Sequence, residues 1–281
     1  MSMDAPGSPA THKSDTERLH ELGYAQELGR KMQGFSNMAV SFSIISILAG
    51  CLTTFYLALY AGGGPAIAYG WPIVTLMALT VAMSMGEVCS SYPTAGGLYY
   101  WSAKLAKRNA PLWSWTTGWF NLIGQVAITA SIDFALANFV GGFLALTTDF
   151  VPTPRSLLFI YGVLLVLHAI LNTLGIRVTA LLNDISVWWH LIGVGVFLGF
   201  LVVLPDQHAS AKFVFTDFQN NTGWNGPGSG IYVFFIGLLL AQYTITGFDA
   251  SAHMTEETEN AAVAGPKGMV TSVWLSGIAG Y

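Results

Sequence analysis

Gly230-Ile231-Tyr232-Val233-Phe234-Phe235-Ile236-Gly237-Leu238-Leu239-Leu240-Ala241 begins as a membrane helix, and the next ten residues do not continue it. Gln242-Tyr243-Thr244-Ile245-Thr246-Gly247-Phe248-Asp249-Ala250-Ser251 places hydroxyls, a glycine and a carboxylate where hydrocarbon should surround the chain. A second run behaves alike. Phe35 to Tyr60 has the length of a span, but Ser46-Ile47-Leu48-Ala49-Gly50-Cys51-Leu52-Thr53-Thr54 breaks its middle with small and hydroxyl residues. Backbone N–H and C=O groups cannot stay unpaired in lipid, so irregular backbone at that depth has to line a cavity or bind something. Two interrupted helices in corresponding positions point to a site at the bilayer midplane.

The composition agrees with a membrane setting. Of 281 residues, 53% are hydrophobic and only 9% charged, against about 25% charged in soluble domains; the mean hydropathy is +0.55. At roughly 20 apolar residues per crossing, spans are predicted at 36–60, 68–91, 112–147, 156–174, 181–204 and 230–252, with a seventh beginning near Gly268. These boundaries predict an all-α polytopic membrane protein with a polar tail over 1–34 and a transmembrane domain over 35–281. The short seventh helix implies the front part of a longer protein. The first 33 residues, with Pro6 and Pro9, lack the apolar core of a cleaved signal. Cys51 and Cys89 fall in spans and imply no disulfide framework.

Lys and Arg are retained on the cytoplasmic side of membrane proteins. With the N-terminus inside, Lys13, Arg18, Arg30, Lys31, Lys104, Lys107, Arg108, Arg177 and Lys267 are all inside, and only Arg155 and Lys212 lie outside. Spans one and six then cross in opposite directions, as the lead helices of two inverted five-helix repeats do. The first repeat covers about 35–204 and the second starts over about 230–281.

Between these spans, Ala61-Gly62-Gly63-Gly64-Pro65 reads as a tight turn. Tyr92-Pro93-Thr94-Ala95-Gly96-Gly97 reads as a helix stop followed by a short interfacial helix, either a surface anchor or part of a gate. The loop from Pro205 to Gly230 holds Gly226-Pro227-Gly228-Ser229-Gly230, but no strand precedes it and no Gly-Lys-Ser/Thr follows, so it is no nucleotide loop. His253, Glu256 and Glu257 have no second histidine at ligand spacing, which argues against a metal enzyme. No cofactor, metal or nucleic-acid partner is expected.

The Gly-Gly-Gly-Pro turn, Gly70-Trp71-Pro72, Glu87 with Tyr92-Pro93-Thr94-Ala95-Gly96-Gly97-Leu98-Tyr99, and Gly247-Phe248-Asp249-Ala250-Ser251-Ala252-His253-Met254-Thr255-Glu256-Glu257-Thr258 together resemble the amino acid-polyamine-organocation superfamily. Within it they are most similar to the amino acid/choline transporter family, which includes γ-aminobutyrate and choline permeases. The resemblance implies a 5+5 inverted-repeat transporter fold, here truncated in the seventh helix, with discontinuous helices 1 and 6. It implies secondary transport of an amino acid or small amine by alternating access in the cell membrane, with a proton or sodium as possible co-substrate.

By that resemblance, Ala49, Gly50, Cys51, Leu52 and Thr53 correspond to a carboxylate cradle, with Leu52 in place of the family's last glycine. Small residues such as Gly50 and Cys51 equally permit close helix packing. Tyr243, Thr244, Thr246 and Gly247 are expected to meet the substrate's amino group, with Tyr243 either capping it or packing between helices. Asp249, a carboxylate disfavoured by roughly 3 kcal/mol near mid-membrane, either pairs the substrate ammonium or anchors the broken helix. Asn121 and Gln125 share one helix face and either line the cavity or join helices. His190 is a candidate for the coupling proton, or a hydrogen-bonded packing residue. Glu87 and His168 are weaker candidates, and the surroundings of Asp133 are not legible. Glu256, Glu257 and Glu259 read as a solvated linker leading into helix seven.

Overall fold

The computed structural model describes residues 14–173 and 176–281, so Pro6, Pro9 and Lys13 of the expected tail lie outside it. The described residues are helical, with isolated bridges Met32 to Thr258 and Ala61 to Asn220 and no strand among them. A short α1 (Asp15–Glu21) precedes the first span, which is split into α2 (Gly34–Ile45) and α3 (Ile47–Tyr60). α4 (Gly63–Ala68) and α5 (Gly70–Ser91) form the second, and α6 (Gly97–Leu105) is the expected short helix after the Pro-Thr-Ala-Gly-Gly turn. α7 (Ala110–Thr147), α8 (Pro154–Thr173) and α9 (Ile176–Val203) are spans three to five. After α10 (Ala211–Thr216), the sixth span is divided into α11 (Ser229–Gly237), α12 (Leu239–Thr244) and α13 (Ala250–His253), and α14 (Ala261–Gly280) is the seventh helix.

Five of these stretches are long and apolar enough to cross a bilayer: 34–60, 63–91, 110–147, 154–173 and 181–203. Two details differ from the sequence reading. The glycine turn is confined to Ala61 and Gly62, because Gly63-Gly64-Pro65 already opens α4; without side chains there, α10 comes within contact of α4, and a Cβ on Gly64 would meet Val214 O at 2.5 Å. The seventh helix starts at Ala261 rather than Gly268 and runs for 20 residues. Asn260, in the left-handed region at φ 52°, turns the chain into it.

Spans one and six run antiparallel with a register fixed along their whole length. A Cβ on Gly237 would meet Ala61 O at 2.3 Å at one end, Gly50 lies against Thr244 in the middle, and Asn37 bonds Thr258 at the other end. α14 packs against α2 and α5 through small residues, with Gly268 against Asn37 and Ser251, and Gly277 against Thr75. Trp71 Nε1 donates to Gly277 O at 2.8 Å. Lipid tails are as apolar as leucine, so close backbone approach and interhelical hydrogen bonds hold such helices together.

Residues 14–33, expected as tail, lie hydrogen-bonded across the face where the first span begins. Ser14 and Glu17 form a capping box on α1, and Leu19 is buried. The Asp15 carboxylate accepts from Asn260 N (2.6 Å) and Ala261 N (3.0 Å), so it caps the N-terminus of α14, where a negative charge is favoured. Arg18 donates to Ser91 O at 2.7 Å, and Arg30 donates to Thr255 O (2.8 Å) and Thr258 O (2.7 Å). Tyr24 stacks edge-on against Tyr100, and burial pushes its phenol pKa up, helped by the neighbouring Tyr99 and Tyr100.

The strap therefore ties the linker after span six to the end of α5. Each of its charge-assisted bonds contributes about 1 kcal/mol once partial exposure is allowed for. Arg30→Ala is expected to speed tryptic cleavage after Lys31 several-fold; a rate equal to that of the unaltered protein would show that the strap does not depend on these bonds.

Candidate functional site

The first span breaks at one residue. Ser46 adopts φ 40° and ψ 74°, a left-handed conformation that ends α2 and starts α3. The first bond of α3 is Gly50 N to Ser46 O at 2.8 Å, which leaves the N–H groups of Ile47, Leu48 and Ala49 without intrahelical acceptors. The break thus falls on the first residue of the Ser46–Thr54 cluster expected to interrupt the span, ahead of the Ala49–Thr53 stretch that the resemblance implied. That stretch stays helical because its hydroxyls bond backward: Thr53 Oγ1 donates to Ala49 O (2.7 Å) and Thr54 Oγ1 to Gly50 O (2.7 Å). Such side chains add a bond to helical carbonyls rather than unwinding them.

His190 on α9 holds the break. Its Nε2 meets Ser46 Oγ at 2.8 Å and its Nδ1 meets Ser186 O at 2.9 Å, in a buried position edge-on to Phe42. A backbone carbonyl only accepts, so Nδ1 carries a proton and, in the neutral ring, Nε2 accepts from the Ser46 hydroxyl.

The sixth span unwinds where expected. α12 ends with Ile245 N donating to Ala241 O, and the chain runs irregularly until Asp249 begins α13. Gly247 has φ 81°, and a Cβ there would meet Ile44 Cγ2 at 2.3 Å. The conformation and the contact both require glycine. The end of α12 packs against the start of α3, with Thr244 against Gly50.

Between the breaks is a cavity of about 170 Å³. Ile44, Ile45, Ser46, Ala49, Gly50 and Thr53 form one side, Tyr243 and Thr246 another, and α7 closes it with an apolar wall that includes Ile128, Ile132 and Phe139. Ala49, Gly50, Thr53, Tyr243 and Thr246 of the expected set therefore meet in one place. Tyr243 OH is 3.1 Å from Ser131 Oγ on α7.

The other expected residues do not line it. Thr244 is buried, donates to Leu240 O and faces Gly50, where a Cβ would lie 2.6 Å from Thr244 Oγ1; Gly50 thus serves close packing as well as the cavity. Cys51 faces a second, apolar hollow of about 800 Å³ with Leu48, Phe55, Trp71 and Phe197. Asp249 is 3.5 Å from His253 Nε2, one helical turn on, and His253 Nδ1 meets Ala95 O at 3.1 Å. Asn121 and Gln125 bond each other at 3.4 Å on the cavity face of α7, about one to two turns from Ile128 toward the N-terminal face.

Sequence reading missed the α7 wall and a buried polar seam. Apolar residues surround α7, so nothing marks out the stripe of Ile128, Ile132 and Phe139. In the seam, Ser41 Oγ donates to Phe248 O (2.8 Å) and lies 2.6 Å from Ser251 Oγ, and Ser251 Oγ donates to Asn37 O (3.0 Å). Asn37 Nδ2 donates to Ser251 O (2.9 Å) and Thr258 Oγ1 (3.0 Å). A signal existed: Asn37 and Ser41 stand four residues apart on one face of an otherwise apolar run.

A family profile described as amino acid permease matches residues 34–280, from the start of α2 to the end of α14. The chain belongs to the amino acid permease family. The chain is 46% identical over 276 residues to the amino-acid permease BAT1 of Arabidopsis thaliana and 44% identical over 273 residues to a BAT1 homolog of Oryza sativa subsp. japonica; each alignment covers 94% of this chain and 52% of the relative. It is 30% identical over 284 residues to amino-acid permease 2 of Neurospora crassa, covering 98% of this chain and 51% of that protein. The chain thus spans about half the length of these curated relatives. No solved structure matches it.

Gly247→Ala is expected to destabilise the protein by about 1–3 kcal/mol, read as a lower thermal-unfolding midpoint in detergent. Gly230→Ala, at a site open to space, serves as control; equal midpoints for both would remove the packing argument.

Proposed function

We propose that this chain supplies the two broken helices of a secondary active transporter that carries an amino acid or small amine by alternating access. The observation that carries the reading is the cavity bounded by the N-terminal end of α3 and the C-terminal end of α12. A zwitterion leaving water must replace the hydration of two charges. A helix N-terminus carries about half a positive charge and suits a carboxylate, and free carbonyls at a helix C-terminus suit an ammonium. No charged side chain is then needed at the cavity, and among its lining residues none is charged.

On this reading Ser46, Ala49 and Gly50 face the carboxylate, Tyr243 and Thr246 face the ammonium, and Asp249 anchors α13 through His253. The substrate is a zwitterion or cation such as an amino acid, γ-aminobutyrate or choline, taken up with a proton or sodium. The Lys and Arg distribution supports a cytoplasmic N-terminus, and the family supports residence in the cell membrane.

His190 connects a titratable ring to the break. Gaining a proton reverses its bond to Ser46, because Nε2 then donates and the hydroxyl turns away. This contact supports a coupling role for His190.

A second reading has one observation in its favour. The apolar hollow of about 800 Å³ lined by α3, α9 and α14 leaves apolar surface against which a further helix would pack, and the chain spans half its relatives' length. The chain would then be a half-carrier that works only with another polypeptide. Uptake into vesicles by this chain alone, compared with the chain completed by a C-terminal half, separates the two readings.

In the transporting form, Thr246→Ala is expected to weaken substrate affinity roughly fivefold, as loss of one hydrogen bond of about 1 kcal/mol implies, while Asp249→Asn leaves affinity near its starting value. Unaltered affinity in Thr246→Ala would move the site elsewhere. His190→Gln is expected to flatten the pH dependence of uptake; an unchanged profile would remove His190 from coupling.

A further inference from the structure

Asp133 on α7 and His168 on α8 make a buried polar contact apart from the two breaks. Asp133 Oδ1 lies 2.9 Å from His168 Nδ1, with the aspartate side chain 3% exposed and the histidine 41%. Oδ2 is buried and has no hydrogen-bond partner. Asp133 stands fourteen residues before Thr147 and His168 fourteen residues after Pro154, so both lie about 21 Å from the connection between their helices. Ile132, the preceding residue, lines the cavity. The carboxylate therefore projects about 100° around α7 from that lining face, at the same depth.

Joining two helices does not require this pair. α7 and α8 also meet where a Cβ on Gly141 would touch Leu157. Among the described residues no lysine or arginine is within ion-pair distance of Asp133. The titratable groups facing this part of α7 are few. From α8 there are His168 and Tyr161, whose ring meets Phe134, and from α12 there is Tyr243, bonded to Ser131. Tyr99, Tyr100 and Lys104 of α6 lie by the first turns of α7, where Ser114 bonds Tyr99 O. A carboxylate with one bare, sealed oxygen and one imidazole neighbour is badly compensated as an anion. As an acid it carries no charge.

We propose that Asp133 and His168 form an intramembrane proton-binding site. A proton is taken up at Nε2 on the exposed edge of the imidazole, and the Nδ1 proton passes to Asp133 Oδ1. The products are a neutral acid and a neutral imidazole protonated on Nε2. One proton is gained and no other bond changes. Release runs in reverse, and the sealed carboxylate exchanges protons only through the ring. The use of this proton to drive transport rests on the reading of the cavity given above; its binding does not.

Dicyclohexylcarbodiimide, which adds to protonated carboxylic acids in apolar surroundings, tests occupancy in vesicles holding the protein and no substrate. Peptide mass mapping is expected to find the adduct on Asp133 at acid pH and to find it lost as pH rises. His168→Gln is expected to displace that pH dependence, and Asp133→Asn to abolish the adduct. An unreactive Asp133, equal reactivity at every pH, or a dependence untouched by His168→Gln would overturn the proton site. The second arm measures uptake, where both variants are expected to lose uptake driven by a proton gradient and to keep substrate exchange. Unimpaired driven uptake would overturn the coupling. A pH-dependent adduct in a protein that moves no substrate would uphold the proton site and sink the transport reading.

Discussion

A peptide group without a partner inside hydrocarbon costs several kcal/mol, and this chain interrupts two of its spans at matching depths. Their facing ends make that arrangement sustainable. Ser46, Ala49 and Gly50 at the start of α3 share one cavity with Tyr243 and Thr246 at the end of α12. The antiparallel register of spans one and six brings the two ends together. It depends on glycines at contacts that tolerate no side chain, Gly50 against Thr244 and Gly247 against Ile44.

Polar contacts are distributed unevenly around this cavity. Toward the N-terminal face, Asn37, Ser41 and Ser251 join α2 to the segment around α13, and the strap of residues 14–33 covers the linker beyond it. Glu256 Oε1 accepts from Ala95 N, so the Pro-Thr-Ala-Gly-Gly turn is tied to the same linker. On the side of α3, α9 and α14 the surface is apolar and open, with Leu48, Phe55 and Phe197 lining a hollow. The N-terminal side of the cavity is thus closed by hydrogen bonds, while the opposite flank offers mainly apolar surface.

Much of the fold was legible in the sequence because membrane spans declare themselves by length. The break in span six was legible too, since Thr244, Thr246, Gly247 and Asp249 crowd polar groups and a flexible residue into less than two turns of hydrocarbon. Span one misled by a few residues: a hydroxyl cluster at Thr53 and Thr54 looks like unwinding, yet those side chains bond back to their own helix, and the actual break rests on Ser46 and a histidine 144 positions away. Asp249 was expected either to pair the substrate ammonium or to anchor the broken helix; the structure places it 3.5 Å from His253, one turn on, and not among the residues lining the cavity. The strap was hidden because polar residues that bond a protein surface have the same composition as a solvated tail.

The central claim is that the two breaks enclose one hydrated site for substrate. Single cysteines at Ser46 and Thr246, in a protein whose Cys51 and Cys89 are replaced, test it through labelling by a small water-soluble thiol reagent with and without amino acid. Labelling at both positions, slowed by the same amino acid at each, is the expected result. Two positions inert to the reagent, or labelled at rates no amino acid changes, would contradict it.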